Sequence, residues 1–534
     1  MILTVLHALA TQGPSPTPAA VPGAGLFTSS YLLSICIWTP SLMAVVIALL
    51  PNPRGRYDNA IRNIAFFTNL MLMFVMFIAY NQFESFLPNV QYEEKVAWLP
   101  QIGATYHLGI DGPSTVLLIL SGLVGIIAVL ASRAVRERVR AYYALLLLTQ
   151  TCVTGAVAAH DLFVFTLFWS AAIVPLTLLV LGWGGPRREA AAWRLAGYWG
   201  VGVAALVLAV MAIYVGSGGS SFDMDVALKS ALAPRTQVVV GIAILVAAAT
   251  RLPLFPFHGW VRDVYADAPL GVVVLIAGSA SRLGAYLVLR VLVAAEPDGA
   301  RLLSPLVAGI AVITVVYAAI AALRTADLRH AGAYLALIPG GITAFGLAAL
   351  TPLSIAGAIL ALFTGGLASA FIAAAFNMVS DRAQTRAIAV LSGLAPRMPK
   401  LAWLTVLAAL GVLGIPLMAT FTSNEMTFFG AFRTQPVGAF GIAVGLALAA
   451  ITLAVLLQRV LFGPPNPDAP AVSDTSLGET WVLALLAGGL LWIGIVPGGP
   501  KIPGTDFPLF DPGMLNVMVA NIPEISAPYT GAGP

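Results

Sequence analysis

Long apolar runs alternate with short polar segments along almost the whole chain. A helix needs about 20 apolar residues to cross the ~30 Å hydrocarbon core of a bilayer. The runs are continuous rather than alternating, which favours helices over the strands of a membrane barrel. We therefore predict an all-α integral membrane protein with about fourteen transmembrane spans, numbered 1 to 14 in chain order: 28–50, 62–83, 114–132, 141–158, 161–182, 193–215, 236–254, 269–294, 303–323, 329–350, 354–379, 403–429, 436–461 and 481–497.

Spans 4–8 and 9–13 are predicted to form two repeats of five helices each. An odd number of helices per unit makes consecutive units inverted in the membrane, as in many ion transporters. The predicted organisation is an exposed tail (1–27), spans 1–3 (28–132), the first repeat (141–294), the second repeat (303–461) and a last span with an external tail (462–534).

Proline residues predict breaks in spans 7 and 12. Pro253 and Pro256 in span 7 lack a backbone N–H and clash with the preceding turn, so a helix cannot continue through them. Pro416, in Gly414-Ile415-Pro416, has the same effect in span 12. Discontinuous helices near the middle of the membrane line ion and substrate sites in transporters. Non-helical backbone near mid-depth is therefore expected at both places.

The composition excludes most soluble functions. Of 534 residues, 59% are hydrophobic and 9% are charged, against about 25% charged in soluble domains. The chain has no Walker loop, dinucleotide fingerprint, cysteine cluster or nucleophile elbow. No cofactor, metal or nucleic acid is therefore expected on this chain. Cys36 and Cys152 lie inside apolar runs and are expected to be plain core residues.

The positions of the basic side chains predict an orientation. With the N-terminus outside, the cytoplasmic loops hold most of them, as the positive-inside rule requires. These are Arg54, Arg56, Arg62, Arg133, Arg136, Arg138, Arg140, Arg187, Arg188, Arg194, Arg262, Arg324, Arg329, Arg382, Arg386, Arg397, Lys400 and Arg459. The outer loops hold Lys95, Lys229, Arg235, Arg301, Arg433 and Lys501.

Apart from the residues at span ends that are assigned to loops, three arginines and one glutamate within the predicted spans stand out. Charged groups at membrane depth are costly, so they usually face a bundle interior, a cavity or a partner. Arg251, just before the span 7 break, and Arg282 could line an ion path, or could tie two helices together through freed carbonyls. Arg290 is near a span end and is expected to snorkel towards water. Glu425 follows the span 12 break and needs protonation, a partner or hydration.

Two further polar residues lie at span ends. His258 follows the span 7 break and is either a structural hydrogen-bonding residue or part of a proton relay. Asp111 opens span 3 and is predicted to be its N-cap.

Several short motifs recur at characteristic places along the spans. They are Tyr106-His107-Leu108-Gly109-Ile110-Asp111-Gly112, Pro253-x-x-Pro256-x-His258-Gly259-Trp260 with Ala268-Pro269, Asp327-Leu328-Arg329 with Tyr334, Gly393-Leu394, Met398-Pro399 and Gly414-Ile415-Pro416. Together these motifs resemble the M subunit family of complex I, the respiratory NADH-quinone oxidoreductase. No stretch after 497 is apolar for long enough to be the additional long helix of the L type, so the M type is expected.

The resemblance implies a membrane-arm subunit of the bacterial inner membrane that takes part in proton translocation. Its partners would be lipids and other membrane subunits, including related antiporter-like ones. NADH, FMN, iron–sulfur clusters and quinone would be bound by other subunits, so this chain would have no redox site of its own.

The family has a central row of charged residues within the membrane, and this chain departs from the family at most positions of that row. Ser170, after Trp169, stands where the family has a glutamate, and Arg251 and Arg282 stand where it has lysines. The two histidines of the family's row correspond to Pro339 and Gly365 in this chain. The acid of span 12 is kept as Glu425, one residue further from Pro416 than is usual in the family.

Arginine keeps its charge, whereas lysine can release a proton when it is desolvated. The row therefore allows three hypotheses. The chain could be a pumping subunit in which Glu425 titrates and the two arginines are fixed charges. It could be a non-pumping scaffold paralogue. It could also belong to a Mrp-like cation antiporter or a membrane-bound hydrogenase.

Overall fold

The computed structural model describes residues 31–83, 90–228, 232–464, 472–495 and residue 529. The predicted tail at 1–27 lies outside the described residues, and so does the tail after 497 apart from Tyr529. The described chain is predominantly helical, which confirms the predicted class of a helical membrane protein. The predicted domain boundaries stay predictions.

Three helices and one β-hairpin precede the first repeat. They are α1 (Leu32–Leu49), α2 (Asp58–Asn81), β1 (Gln91–Leu99), β2 (Ala104–Ile110) and α3 (Gly112–Ala131). The hairpin was not predicted; β1 and β2 pair antiparallel with Lys95 opposite His107. Gly103 closes its turn with a φ of 70°, a left-handed conformation that glycine adopts without strain.

The first repeat contains nine helices and two π-helical turns, Ile276–Ala280 and Val288–Val293. The helices are α4 (Val139–Ala158), α5 (Leu162–Ala171), α6 (Ile173–Trp183), α7 (Arg188–Gly216), α8 (Met224–Ala227), α9 (Pro234–Arg251), α10 (Gly259–Asp267), α11 (Leu270–Leu275) and α12 (Arg282–Leu287).

The second repeat contains seven helices and ends in a π-helical turn, Gln458–Phe462, which is followed by the last span, α20 (Leu477–Ile495). The seven helices are α13 (Pro297–Arg324), α14 (Leu328–Leu335), α15 (Ile338–Ala348), α16 (Pro352–Arg382), α17 (Pro399–Leu413), α18 (Ala419–Phe432) and α19 (Pro436–Leu457).

The predicted breaks in spans 7 and 12 are confirmed. In span 7 the helix ends at Arg251 and resumes at Gly259. In span 12 it ends at Leu413, and Gly414 follows with a φ of 66° before helix resumes at Ala419. Such a left-handed glycine is a common way to end a helix.

Two further interruptions, in spans 5 and 10, were not predicted. Span 5 is interrupted at Ala172, between α5 and α6, and span 10 after Leu335, between α14 and α15. Each of these spans begins with an aspartate, Asp161 or Asp327, whose side chain accepts hydrogen bonds from two backbone N–H groups of the first turn. The same features at corresponding positions support the two-repeat organisation.

The number of fourteen spans is not confirmed. Twelve helical segments of the described chain are long and apolar enough to cross a membrane. These twelve include no helix from the predicted spans 7 and 12. The helix of span 7 ends at Arg251, and span 12 is divided by its break into Pro399–Leu413 and Ala419–Phe432.

The core of the bundle lies along spans 8, 10 and 11. The apolar windows of Leu270–Val293 and Pro352–Arg382 are entirely buried within the chain, and that of Leu328–Ala348 is 94% buried. Spans 8 and 11 approach closely, since a Cβ on Gly366 would lie 2.3 Å from the carbonyl oxygen of Gly278. Small residues allow such backbone contact between membrane helices.

We expect Gly366→Ala to destabilise the bundle by about 1–3 kcal/mol, because the added methyl group forces α16 away from span 8. The measurement is the thermal melting midpoint of the detergent-solubilised protein. Gly309→Ala is the matched control, because a Cβ on Gly309 meets nothing within 4 Å. Equal midpoints for the two variants would contradict this packing.

Candidate functional site

Arg251 is the last residue of α9 and is fully buried. Its Nη2 donates to the carbonyl oxygen of Trp169, near the interruption of span 5. Its guanidinium carbon lies 4.5 Å from the ring centroid of Trp169 and 4.0 Å from that of Trp199. Cation–π contacts of this kind stabilise a positive charge that has left water. Nε and Nη1 have no hydrogen-bond partner among the described residues.

Arg282, in span 8, is also buried and is linked through Ser369 to the interruption of span 10. Its Nη2 donates to the Ser369 hydroxyl at 3.1 Å, and that hydroxyl donates to the carbonyl oxygen of Ala336 at 2.8 Å. Ala336 lies between α14 and α15, at the interruption of span 10. Each arginine is therefore linked to a carbonyl at the interruption of one repeat.

The positions that differ from the resembled family converge on Arg282. A Cβ on Gly365 would lie 3.4 Å from Nη1 of Arg282 and 3.1 Å from the Cβ of Pro339. The helix of Arg282 also packs against the end of α9, since a Cβ on Gly284 would lie 2.7 Å from the backbone nitrogen of Leu252. Apart from Ser170, the substituted positions thus form a continuous buried row that runs from the span 7 break into the second repeat.

Beyond Arg282 the buried row continues with hydroxyl groups. The hydroxyl of Thr364 lies 3.2 Å from that of Ser423 on α18. Thr420, on the same helix, donates at 2.7 Å to the carbonyl of Gly411, which lies just before the span 12 break. Hydroxyl groups can pass on hydrogen bonds but carry no charge at neutral pH.

Glu425 does not join this row. It lies two residues after Ser423, which places it on the opposite face of α18, and its side chain is exposed on the outside of the chain. There it borders an open cleft of about 370 Å³ whose other walls include Phe345, Ile442 and Leu446. The structure therefore does not bring Glu425 together with Arg251 or Arg282.

Ser170 and His258 lie beside the row rather than in it. The Ser170 hydroxyl donates to the carbonyl of Thr166 at 2.7 Å, within its own helix. The imidazole of His258 packs against Phe255 and Tyr317, with ring centroids 5.6 and 4.6 Å away. Its Nδ1 is buried and has no hydrogen-bond partner in the described chain.

The polar groups freed by the span 7 break find other partners. The indole of Trp260 donates to the carbonyl of Thr250 at 2.9 Å, and the Phe255 N–H donates to the Thr314 hydroxyl at 3.0 Å. Pro253 and Pro256 have no N–H to satisfy.

Asp111 and Arg290 form a buried ion pair, with 2.7 Å between Oδ2 and Nη1. The expectation that Arg290 snorkels to water was wrong, because its guanidinium is held by Asp111, by the Tyr286 hydroxyl at 2.8 Å and by His160 at 3.1 Å. Asp111 also caps α3, since Oδ1 accepts from the backbone N–H of Ser114 at 3.0 Å. A single carboxylate therefore fixes both the start of span 3 and the end of span 8.

Sequence reasoning missed Tyr286 and His160 in this cluster. Arg282, Tyr286 and Arg290 follow one another at intervals of four residues, a spacing that places side chains on one helix face. That pattern could have revealed a polar face on span 8. Nothing in the local sequence connects it to Asp111 or to His160.

Discontinuous helices in two five-span repeats, with buried arginines at the interruptions, define an antiporter-like membrane protein. The model of the family described as NADH:quinone oxidoreductase/Mrp antiporter, transmembrane region, matches residues 159–452. A NAD(P)H-quinone oxidoreductase chain 4 of Synechococcus sp. (strain JA-3-3Ab) is 31% identical over 87% of this chain and 90% of its own length. The chain belongs to this family.

Solved structures show the same fold. A chain of respiratory complex I from Thermus thermophilus matches with a TM-score of 0.79 at 22% identity, over 92% of this chain and 99% of its own. A chain of the Mrp complex from Dietzia sp. DQ12-45-1b matches with a TM-score of 0.78 at 18% identity, over 94% and 98% of the two chains.

We expect Arg290→Leu and Asp111→Asn to be more harmful singly than together. Each single change leaves a buried group without its partner, which costs about 3–5 kcal/mol for a buried pair. Asparagine keeps the capping ability of position 111. The measurement is a double-mutant cycle of melting midpoints and membrane accumulation. Additive losses in the double variant would show that the pair is not coupled.

Proposed function

We propose that this chain is a membrane subunit of a NAD(P)H-quinone oxidoreductase, corresponding to chain 4 or subunit M, that takes part in proton translocation. The observation that carries the proposal is Arg251, a charged side chain buried at a helix break without an acidic partner among the described residues. Such a charge is costly inside a membrane and is usually retained for function. The similarity to chain 4 relatives supports the choice of complex.

Arg251 and Arg282 act in this proposal as fixed positive charges. They set the potential along the buried row without releasing protons, since a guanidinium stays protonated. Water would carry protons between the hydroxyl groups of Ser369, Thr364 and Ser423. Glu425 would lie at the surface of the chain, in the cleft beside the span 12 break, and His258 would exchange protons at the other break.

The proposed setting is the bacterial plasma membrane, with the N-terminus outside and the arginine-rich loops in the cytoplasm. Redox cofactors would be bound by other subunits of the complex. The chain would pack beside related antiporter-like subunits, and Glu425 would face such a neighbour or lipid.

A scaffold role is favoured by one observation. The described part of the buried row, between Trp169 and Ser423, presents arginines where the resembled family has lysines, and Pro339 and Gly365 where it has histidines. A row without titratable groups of ordinary pKa would conduct protons only through water. Measuring proton uptake by the intact complex can separate a pumping subunit from a scaffold.

We expect Arg251→Ala to lower the number of protons moved per electron pair, since it removes the charge at the break. Arg251→Lys should keep or improve translocation, because lysine is the residue of the resembled family. Glu425→Gln keeps the shape of the side chain but removes the carboxyl group, and should lower the same ratio. The measurement is proton uptake by reconstituted complexes, with assembly checked on a native gel.

Unchanged translocation in both Arg251→Ala and Glu425→Gln, with normal assembly, would establish the scaffold role. Loss in Arg251→Ala alone would keep the pumping role and remove Glu425 from the proton path.

We also expect the chain purified from its native membrane to co-elute with quinone oxidoreductase subunits. The measurement is mass spectrometry of the intact complex in mild detergent. Co-elution with Mrp or hydrogenase subunits instead would replace the proposed complex by one of those alternatives.

A further inference from the structure

A second polar cluster lies where the β-hairpin meets the segment before α9, away from the buried row. Glu93 on β1, His107 on β2 and Asp225 on α8 each place one possible ligand atom so that all three atoms lie within 4.8 Å of one another. Three separate segments of the chain thus converge on one point. The arginines of the buried row take no part in this cluster.

His107 has the environment of a metal-binding histidine. Its side chain is fully buried, and Nδ1 lies 3.1 Å from Oδ2 of Asp223. Nε2 lies within ion-pair distance of Glu93, 2.9 Å from Oε1. The geometry of this contact is not that of a hydrogen bond, and Nε2 makes no hydrogen bond to any other described residue. Histidines that bind metals commonly use one ring nitrogen as the ligand and hold the other against a carboxylate, which fixes the ring orientation.

The charge balance of the cluster suits a divalent cation. Glu93, Asp223 and Asp225 contribute three negative charges, and Lys95, 2.5 Å from Asp223, contributes one positive charge. With a neutral imidazole the net charge is −2. One imidazole and two carboxylates are ligands that zinc accepts, with the fourth position left to water.

The backbone presents these side chains from ordered elements. The pairing of β1 with β2 shifts register between Gln91 and Glu94, and Tyr92 has a φ of 54°. An irregularity of this kind in a strand re-aims the neighbouring side chain, here that of Glu93. On the other side, Asp223 caps α8 by accepting from the Asp225 N–H at 3.0 Å, which fixes the start of that helix.

We propose that Glu93, His107 and Asp225 form a zinc-type divalent metal site, in which Asp223 orients His107. Metal binding would tie the hairpin to the segment that leads into α9, and so to the helix that ends at Arg251. The site is independent of the proposed proton path, because none of its ligands belongs to that path.

The test uses the full-length protein in detergent, with Zn²⁺ as the probe. Zinc affinity is measured by competition with a colorimetric chelator, and Co²⁺ is added separately to record its visible absorption. We expect one metal equivalent in the unaltered protein and a four-coordinate Co²⁺ band. Glu93→Gln and Asp225→Asn should each weaken zinc binding at least tenfold, because each removes a charged ligand of a site with three protein ligands.

Asp298→Asn is the matched control, because it also removes an exposed carboxylate and that carboxylate pairs with Arg301 instead. It should leave zinc affinity unchanged. Zinc should also raise the melting midpoint of the unaltered protein and of this control, but not of the two ligand variants.

Absence of zinc binding in the unaltered protein would overturn the proposal, with His107 then bridging two carboxylates as an imidazolium. Unaltered affinity in either ligand variant, or an equal loss in Asp298→Asn, would overturn it as well. Zinc binding can be present or absent whatever the outcome of the proton-uptake experiments.

Discussion

Every backbone polar group that leaves its helix inside a membrane must find another partner, and the architecture of this chain follows from that constraint. The carbonyl of Trp169 accepts from Arg251, and that of Ala336 accepts from Ser369. The carbonyl of Gly411 accepts from Thr420. The interruptions of spans 5 and 10 are therefore closed by side chains of other spans, and that of span 12 by a side chain from its own second half.

The choice of arginine has a chemical consequence for the buried row. A guanidinium presents several donors in a fixed plane and stacks on aromatic rings, so Arg251 can bond to a carbonyl while lying against Trp169 and Trp199. A lysine at this position would make fewer contacts but could release its proton. Arg251 thus both bonds to the carbonyl freed at the interruption of span 5 and keeps its charge. Any proton path along the row must pass around that charge through hydroxyl groups and water.

The ends of the spans are organised by a different principle. Asp111 caps α3 and neutralises Arg290, so one carboxylate joins two helices that are distant in sequence. The β-hairpin immediately before Asp111 carries His107, whose ring lies 5.6 Å from that of His160, a neighbour of Arg290. The hairpin is therefore packed onto the same polar cluster that fixes the ends of spans 3 and 8.

Features that depend on local chemistry could be predicted from the residue pattern alone. Hydropathy located the spans, because the length of apolar chain needed to cross a bilayer is fixed. Pro253, Pro256 and Pro416 located two breaks, because a residue without an N–H stops a helix wherever it occurs. Asp111 could be assigned as a cap because a capping side chain bonds within the first turn of its own helix.

Which distant groups meet depends on how the helices pack, and the residue pattern did not predict it. Arg290 looked like a snorkelling residue because its partner, Asp111, lies in another span, and Glu425 looked like part of the charged row although its side chain is exposed on the opposite face of α18 from Ser423. The interruptions of spans 5 and 10 lie just before Pro175 and Pro339, a local signal that could have predicted them, because proline disturbs the helical turn that precedes it. Contacts between helices depend on the rotation and packing of each helix, which short-range patterns of residues do not specify.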